Sequence, residues 1–371
     1  MPGELIKNLQ GQWTFVPAPL PGRLQWTNSL VKTLADASAV LGQLQSMTHW
    51  KFLDPRRLLR LFLRREAELS SRIENTYARV QTLLLYEKLP AIEEKAPDVR
   101  EVENNFKALE YGLAAVEHRP ISLGLIKEMH QILLQGVRGD DHTPGQFRQV
   151  QAHIGRSNKI EEARFVPPPH HEVEPSMREL ERYIQQPDDL PALVRLAMVH
   201  YQFEAIHPFS DGNGRIGRVL ILMLMSTEGV LRTPLLNPSA PLERQRREYY
   251  DHLLAVSQRG AWSEWVEFVI RGIADEALAT IDRIQRLEVL RQRYLDQLSA
   301  VRASPLAAKL VDRLFAEPSV TLQQVAEVLQ TSKPSAQKLI DRFMGAGILR
   351  ETTGQQRNRV YLAQEIVDQL S

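Results

Sequence analysis

The chain contains no cysteine. Disulfides, thiolate nucleophiles and cysteine-held metals are therefore excluded. It also lacks a long apolar run. The longest, "VLILMLM", is far short of the roughly 20 residues that span a bilayer. Net charge is almost absent, with 46 Lys and Arg against 45 Asp and Glu. A bulk polyanion binder is not expected, although a local patch remains compatible with that total. The opening "MPGELIKNLQGQW" has no apolar segment of the signal-peptide kind. These absences predict a soluble, cytoplasmic protein with no membrane partner. No internal repeat or low-complexity segment is present. What remains is an ordinary globular composition, 371 residues at 43% hydrophobic and 25% charged, long enough for a main domain and a smaller second one.

Helical periodicity dominates. It runs through "SLVKTLADASAVLGQL", from Pro55 to Lys88, and through segments beginning near Val99, Ser122 and Pro175. "GQFRQVQAHIG" and "ARFVPPP" flank the polar "RSNKIE", and partial alternation with prolines predicts a short β-hairpin over Val150–Pro168. "LVRLAMVHYQFEAI" then reads as a helix, and a second helix ends near Gly229. "ERQRREYYDHLLAVSQ" and the stretch from Trp262 follow, the latter containing a long helix expected to carry the chain away from the main body.

Between the two central helices lies "HPFSDGNGRIGR", His207 to Arg218. Pro208 ends the first helix near His207. Gly212 and Gly214 permit tight or positive-φ backbone, so successive N–H groups can converge on an anion. The next helix, apolar nearly all round, should be buried, with its positive N-terminal end facing the loop. Arg215 and Arg218, three apart, suit a polyphosphate. Asp211 beside phosphates suits Mg²⁺. His207 is the group near neutral pKa that can take a proton from a nucleophile. Base, metal ligand, anion cradle and cationic clamp are the parts needed for in-line attack on phosphorus. A lone His or Gly-x-Gly would be read as an interhelical turn; the twelve-residue constellation is far more specific.

The stretch resembles the signature of Fic-domain proteins, His-x-Phe-x-Asp/Glu-Gly-Asn-Gly-Arg-x-x-Arg, with every defining position filled. The resemblance implies a protein adenylyltransferase, moving AMP from ATP to a protein hydroxyl. It implies His207 as base, Asp211 as Mg²⁺ ligand, Gly212, Asn213, Gly214 and Arg215 at the α- and β-phosphates, and Arg218 at the γ-phosphate. Phe209 would fix the loop from the core. Glu204, just upstream, is either a supporting group behind the site or a solvent-facing acid. The 150–168 hairpin resembles the family's flap, where a protein substrate would lie as an added strand. "SSRIEN", Ser70 to Asn75, resembles the inhibitory Ser/Thr-x-x-x-Glu-Gly/Asn motif, with Asn75 in place of the commoner Gly. Glu74 is then implied to pair with Arg218 in place of the γ-phosphate. Self-modification, with Tyr249 or Tyr250 as candidate acceptors, and a homodimer are compatible with the resemblance. Rival readings are removal of AMP or another nucleotidyl or phosphoryl transfer at the same site, or a nucleotide-sensing transcription regulator.

The expected fold class is mainly α: a Fic helical bundle with a hairpin flap, then a winged helix-turn-helix. The domains are read as 1–110, carrying the inhibitory helix, 111–303, the catalytic core, and 304–371, the winged helix beyond "RASP". From 306 to 371 there are eight Lys or Arg and seven Asp or Glu. Lys333, Lys338 and Arg342 fall in the expected recognition helix, and Arg357 and Arg359 in the wing. The near-neutral balance favours a protein-contacting module over a DNA-binding one.

Overall fold

The structure, a computed structural model, describes residues 2–47, 55–88, 97–137, 143–155, 159–186, 188–299 and 305–370. The boundary expected at Ser304 lies outside them. The fold is mainly helical, with small antiparallel sheets. None of the described helices is long and apolar enough to cross a membrane.

Helix α8 (Asn213–Thr227) is the centre of the bundle, and every residue from Arg215 to Met225 is buried. It is surrounded by α7 (Ala192–Ile206), α4 (Pro97–Ala115), α2 (Pro55–Ile73) and α5 (Leu123–Leu133). Such all-round burial is what an apolar "VLILMLM" helix requires. α7 is equally enclosed, packed also on α6 (His170–Gln185), α10 (Arg246–Arg259) and α11 (Trp262–Ser299). α11 does not lead away from the body. Its 38 residues form a spine along which α1 (Asn28–Met47) lies.

Three local expectations change. The helical pattern over 55–88 breaks into α2 and α3 (Val80–Tyr86), because Asn75 adopts φ +63° and closes α2. α6 begins at His170, five residues before Pro175, which is accommodated inside the helix. The hairpin at 150–168 is reduced to one antiparallel bridge, Ile154 to Phe165, with a 3-10 turn at Ile160–Glu162. Three consecutive prolines at 167–169 cannot donate to a ladder. Side chains hold this flap instead: Gln151 Nε2 donates to Pro167 O at 3.0 Å and Arg148 Nη2 to Pro168 O at 2.6 Å.

An unexpected hairpin, β1 (Gly3–Lys7) and β2 (Trp13–Pro17), packs beside the flap, with Phe15 N–H donating to Val166 O at 2.9 Å. Its turn is built by Asn8, whose Oδ1 accepts from Gln10 and Gln12 N–H, and by Gly11 at φ +78°.

The C-terminal residues run α12 (Pro305–Ala316), β3 (Ser319–Thr321), α13 (Leu322–Val328), α14 (Lys333–Gly345), β4 (Arg350–Glu351), β5 (Val360–Leu362) and α15 (Gln364–Asp368), with sheet order β3-β5-β4. Three helices precede a paired β4 and β5, as the pattern suggested, with β3 and α15 added. The unit is docked on the bundle. α12 packs on α11 and α2, Lys88 pairs with Glu317, and Ser319 Oγ donates to Leu84 O.

Candidate active site

Pro208 stops α7, and His207 closes the helix in the left-handed region at φ 51°, ψ 62°. A non-glycine residue there, before proline, is strained by about 1–3 kcal/mol and persists only when its surroundings fix it. Arg148 does the fixing. It is buried, and its Nε donates to His207 O at 2.8 Å, its Nη1 to Val150 O at 3.0 Å and its Nη2 to Pro168 O. Loop and flap thus share one guanidinium. Burial lowers the Arg148 pKa to about 10, so it remains a cation at neutral pH.

The loop has a second internal brace. Asn213 Oδ1 accepts from Phe209 N–H and its Nδ2 donates to Phe209 O, both at 2.8 Å. The Asn213 amide is therefore spent on Phe209. The Phe209 ring stacks on His130, centroids 3.7 Å apart. His130 Nδ1 accepts from Gly145 N–H, which leaves Nε2 to carry the proton and donate to Asp211 O at 3.0 Å. Burial lowers the His130 pKa to about 4, and the neutral ring is what this pair of bonds requires. Neither His130 nor Arg148 belongs to a motif; each reaches the loop from far along the chain.

A cleft of about 1150 Å³ opens between the end of α2, the flap, α7, the start of α8 and α10. His207, Gly214, Arg218, Glu74 and Asn75 all line it. The His207 pKa is lowered to about 4, by burial first and then by Arg148, against opposite effects of Glu74, the Glu204 carbonyl and Asp211. At neutral pH His207 is an uncharged ring, able to accept a proton. Glu204 also lines the cleft, half-buried, with its Oε1 shielded from solvent. Burial pushes its carboxyl up to about 7, and Arg218 opposes this.

Arg218 is buried at the far side. Its Nε donates to Ser70 Oγ at 2.9 Å, and its Nη2 to Ser70 O at 2.9 Å and Glu74 Oε1 at 2.8 Å. Burial works against its charge, but Glu74 and neighbouring groups outweigh this and raise its pKa. Glu74 is held by the end of α2. Thr76 N–H donates to Ser71 O and Asn75 N–H to Arg72 O, the two bonds of a Schellman cap with Asn75 as the left-handed residue. That position favours Gly, then Asn, which explains Asn75 physically. Asn75 Oδ1 also accepts from Arg246 Nη1 at 2.9 Å. α2 itself is pinned to α4 by Asn105 Nδ2, which donates to Ala67 O and Ser71 Oγ at 3.2 Å. A Cβ at Gly214 would collide with the Glu74 carboxylate, so this approach requires glycine.

The remaining motif residues lie to one side. Gly212, at φ +76°, caps α8 and has Leu133 and His130 where a side chain would go. Arg215 is buried, 3.5 Å from Glu101 Oε2 and 3.5 Å from Asp211 Oδ1, and does not line the cleft. Asp211 is partly exposed, and its Oδ1 accepts from Gly212 N–H at 2.6 Å. Among the described residues no group of three or more His, Asp or Glu is placed to hold a metal. A lone accessible carboxylate at a helix N-terminus fits a cation that arrives with a polyphosphate, since Mg²⁺ takes one or two carboxylates plus phosphate oxygens.

A sequence model of the Fic/DOC family matches residues 120–225, and one of the Fic/DOC family N-terminal region matches residues 31–114, together just over half of the chain. The protein adenylyltransferase Fic of Drosophila grimshawi is 29% identical over 212 residues, 56% of this chain and 40% of its own length. That of Drosophila mojavensis is 28% identical over 62% of this chain and 45% of its own. The chain thus spans less than half the length of the curated relatives it matches. Among solved structures, a Fic family protein from Desulfovibrio desulfuricans G20 superimposes with a TM-score of 0.59 at 18% identity, over 93% of this chain and 98% of that one. Fic-1 from C. elegans gives 0.55 at 20% identity, over 69% and 73%. With its loop, its cleft and both regional matches in agreement, this chain belongs to the Fic/DOC family.

Proposed function

We propose that this chain is a protein adenylyltransferase, moving AMP from ATP to a Ser, Thr or Tyr hydroxyl of a target protein, and that Glu74 restrains it. The observation that carries this is the convergence of His207, Gly214, Arg218 and Glu74 on one cleft. The names of the Drosophila relatives support the reaction class.

The lining of the cleft supports the following roles. The adenosine lies against the wall offered by α10, with Tyr250, Leu253 and Leu254. The phosphates meet the N–H groups at the start of α8. Neutral His207 takes the proton from the attacking hydroxyl. The hydroxyl oxygen bonds to the α-phosphorus, the bond from that phosphorus to the bridging oxygen breaks, and pyrophosphate leaves. Asp211 would hold Mg²⁺, whose part is to neutralise phosphate charge. The flap at 150–168, with Ile154, Gly155 and Phe165 facing the cleft, takes the target segment. Arg218 meets the γ-phosphate only when Glu74 releases it.

Incubation with α-labelled ATP tests this. Glu74→Gly should label itself or lysate proteins about 10-fold or more above the native chain, the value of one charge-assisted bond. His207→Ala in the Glu74→Gly background should abolish the label. Equal labelling with and without His207 rejects the assignment.

A further inference from the structure

The total charge of the C-terminal unit conceals how its charges are divided. Four of the seven acids are turned towards the bundle. Asp312 accepts from Arg291, Glu365 from Arg293 and Tyr294, and Glu317 pairs with Lys88. Asp368 lines a small cavity against α2. Glu351 is consumed in the turn by Thr353 and Gly354 N–H. The docked face of the unit, formed by α12, β3 and α15, is therefore satisfied inside the chain.

The cations are divided the other way, apart from Lys309, which is exposed on α12. Arg313 pairs with Glu317, Arg342 donates to Leu298 O and Arg350 to Gln364. Lys333 and Lys338 on α14, and Arg357 and Arg359 between β4 and β5, are all exposed. Arg359 is oriented by Gln355 O, and none of the four forms an ion pair among the described residues. Glu327 on α13, Asp341 on α14 and Glu351 on β4 carry the negative charge of this side; the first two bond Gln323 and Gln337, and Arg359 acts electrostatically on Glu351. In the winged-helix topology α14 and the wing belong to one binding face. Arg342 of α14 is engaged with the end of α11, whereas the four exposed cations form no ion pair there.

We infer that this face binds double-stranded DNA, with α14 against the major groove and the wing on the flanking backbone. The unpartnered cations match a phosphate backbone in sign and in their distribution over helix and wing. Among the described residues, each ion pair between the unit and the bundle uses an acid of the unit.

The test uses the full chain and a mixed-sequence duplex of about 25 base pairs, followed by fluorescence anisotropy over roughly 50–200 mM salt. Four phosphate contacts predict a slope of log K against log salt near −3.6, a loss of affinity of about 100-fold across that range. Lys333→Ala/Lys338→Ala and Arg357→Ala/Arg359→Ala should each bring the slope to about −1.8. Unchanged far-ultraviolet circular dichroism and melting temperature show that each variant is folded. Three results would overturn the inference: no binding at the lowest salt, a slope that neither variant changes, or equal binding of single-stranded RNA of the same length with the same response to the variants.

Discussion

Glu74 accepts a hydrogen bond from Arg218 at 2.8 Å, across 144 positions of sequence. The same guanidinium also bonds the hydroxyl and carbonyl of Ser70. The Ser70 side of Arg218 is buried, whereas Glu74 on the other is about a third exposed. Under the proposed function a γ-phosphate need displace only Glu74. Placing a carboxylate at the C-terminal end of α2 opposes the helix dipole, and the pairing with Arg218 offsets that cost.

Grading the carboxylate should grade the restraint. Glu74→Gln keeps a hydrogen bond but loses the charge, and neutral bonds are about half as strong as charge-assisted ones. AMP incorporation by Glu74→Gln should fall between the native chain and Glu74→Gly, near the midpoint on a logarithmic scale.

The pH profile should report His207. With its pKa lowered to about 4, the ring is already neutral through the usual histidine range. The rate of AMP transfer, as kcat/KM, should be flat from about pH 6 to 8 and fall only below about pH 5, since the base must be unprotonated. Glu74 raises this pKa, so in Glu74→Gly the fall should move to lower pH. A drop centred near the ordinary histidine value would contradict the assignment.

Asn75 tests the helix cap. Asn75→Gly retains the left-handed conformation and loses only the Arg246 bond, so restraint by Glu74 should persist. Asn75→Ala adds about 1 kcal/mol of backbone strain. It should lower the melting temperature and raise AMP incorporation, because the cap aims Glu74.

Arg148 tests the brace between flap and loop. Arg148→Met strands carbonyls of His207, Val150 and Pro168. The expected loss is about 2–3 kcal/mol by thermal unfolding, with AMP transfer lost even in Glu74→Gly. Arg148→Lys should recover little, because an ammonium cannot reproduce the planar fork.

Glu66 supplies a stability test away from the cleft. It is buried on α2, bonded by Ser239, and burial pushes its carboxyl up from 4.5 to about 7 despite those bonds. The folded chain therefore holds a proton that the unfolded chain releases. Its contribution is complete below pH 4.5 and is lost as pH rises to 7. Glu66→Gln removes that dependence. The melting temperature of the variant relative to the native chain should climb between about pH 5 and 7, equivalent to about 2 kcal/mol, and level off above.

Much of this was legible locally. Pro208 and the glycines after it announce the break, and the apolar run after Arg218 announces a buried α8, whereas the end of α2 at Asn75 was not read from the pattern. Each of the first two depends on backbone geometry or periodicity within a few residues, which composition and order express directly. The N-terminal hairpin was obscured because its short alternation is interrupted by a turn made by the side chain of Asn8. The long α11 was legible as a helix, but not its path, because only packing on α1 sets its direction. His130 beneath Phe209, Arg148 between flap and loop, and the shielding of Glu204 Oε1 had no local signal. The division of charge in the C-terminal unit was equally hidden, since a sum near zero is the same whether the signs are mixed or separated. Sequence order determined which helices form, where they end and which residue types stand at the loop. Tertiary structure decided which distant groups meet there, because desolvation and pairing act through space and depend on distances that neither spacing nor periodicity encodes.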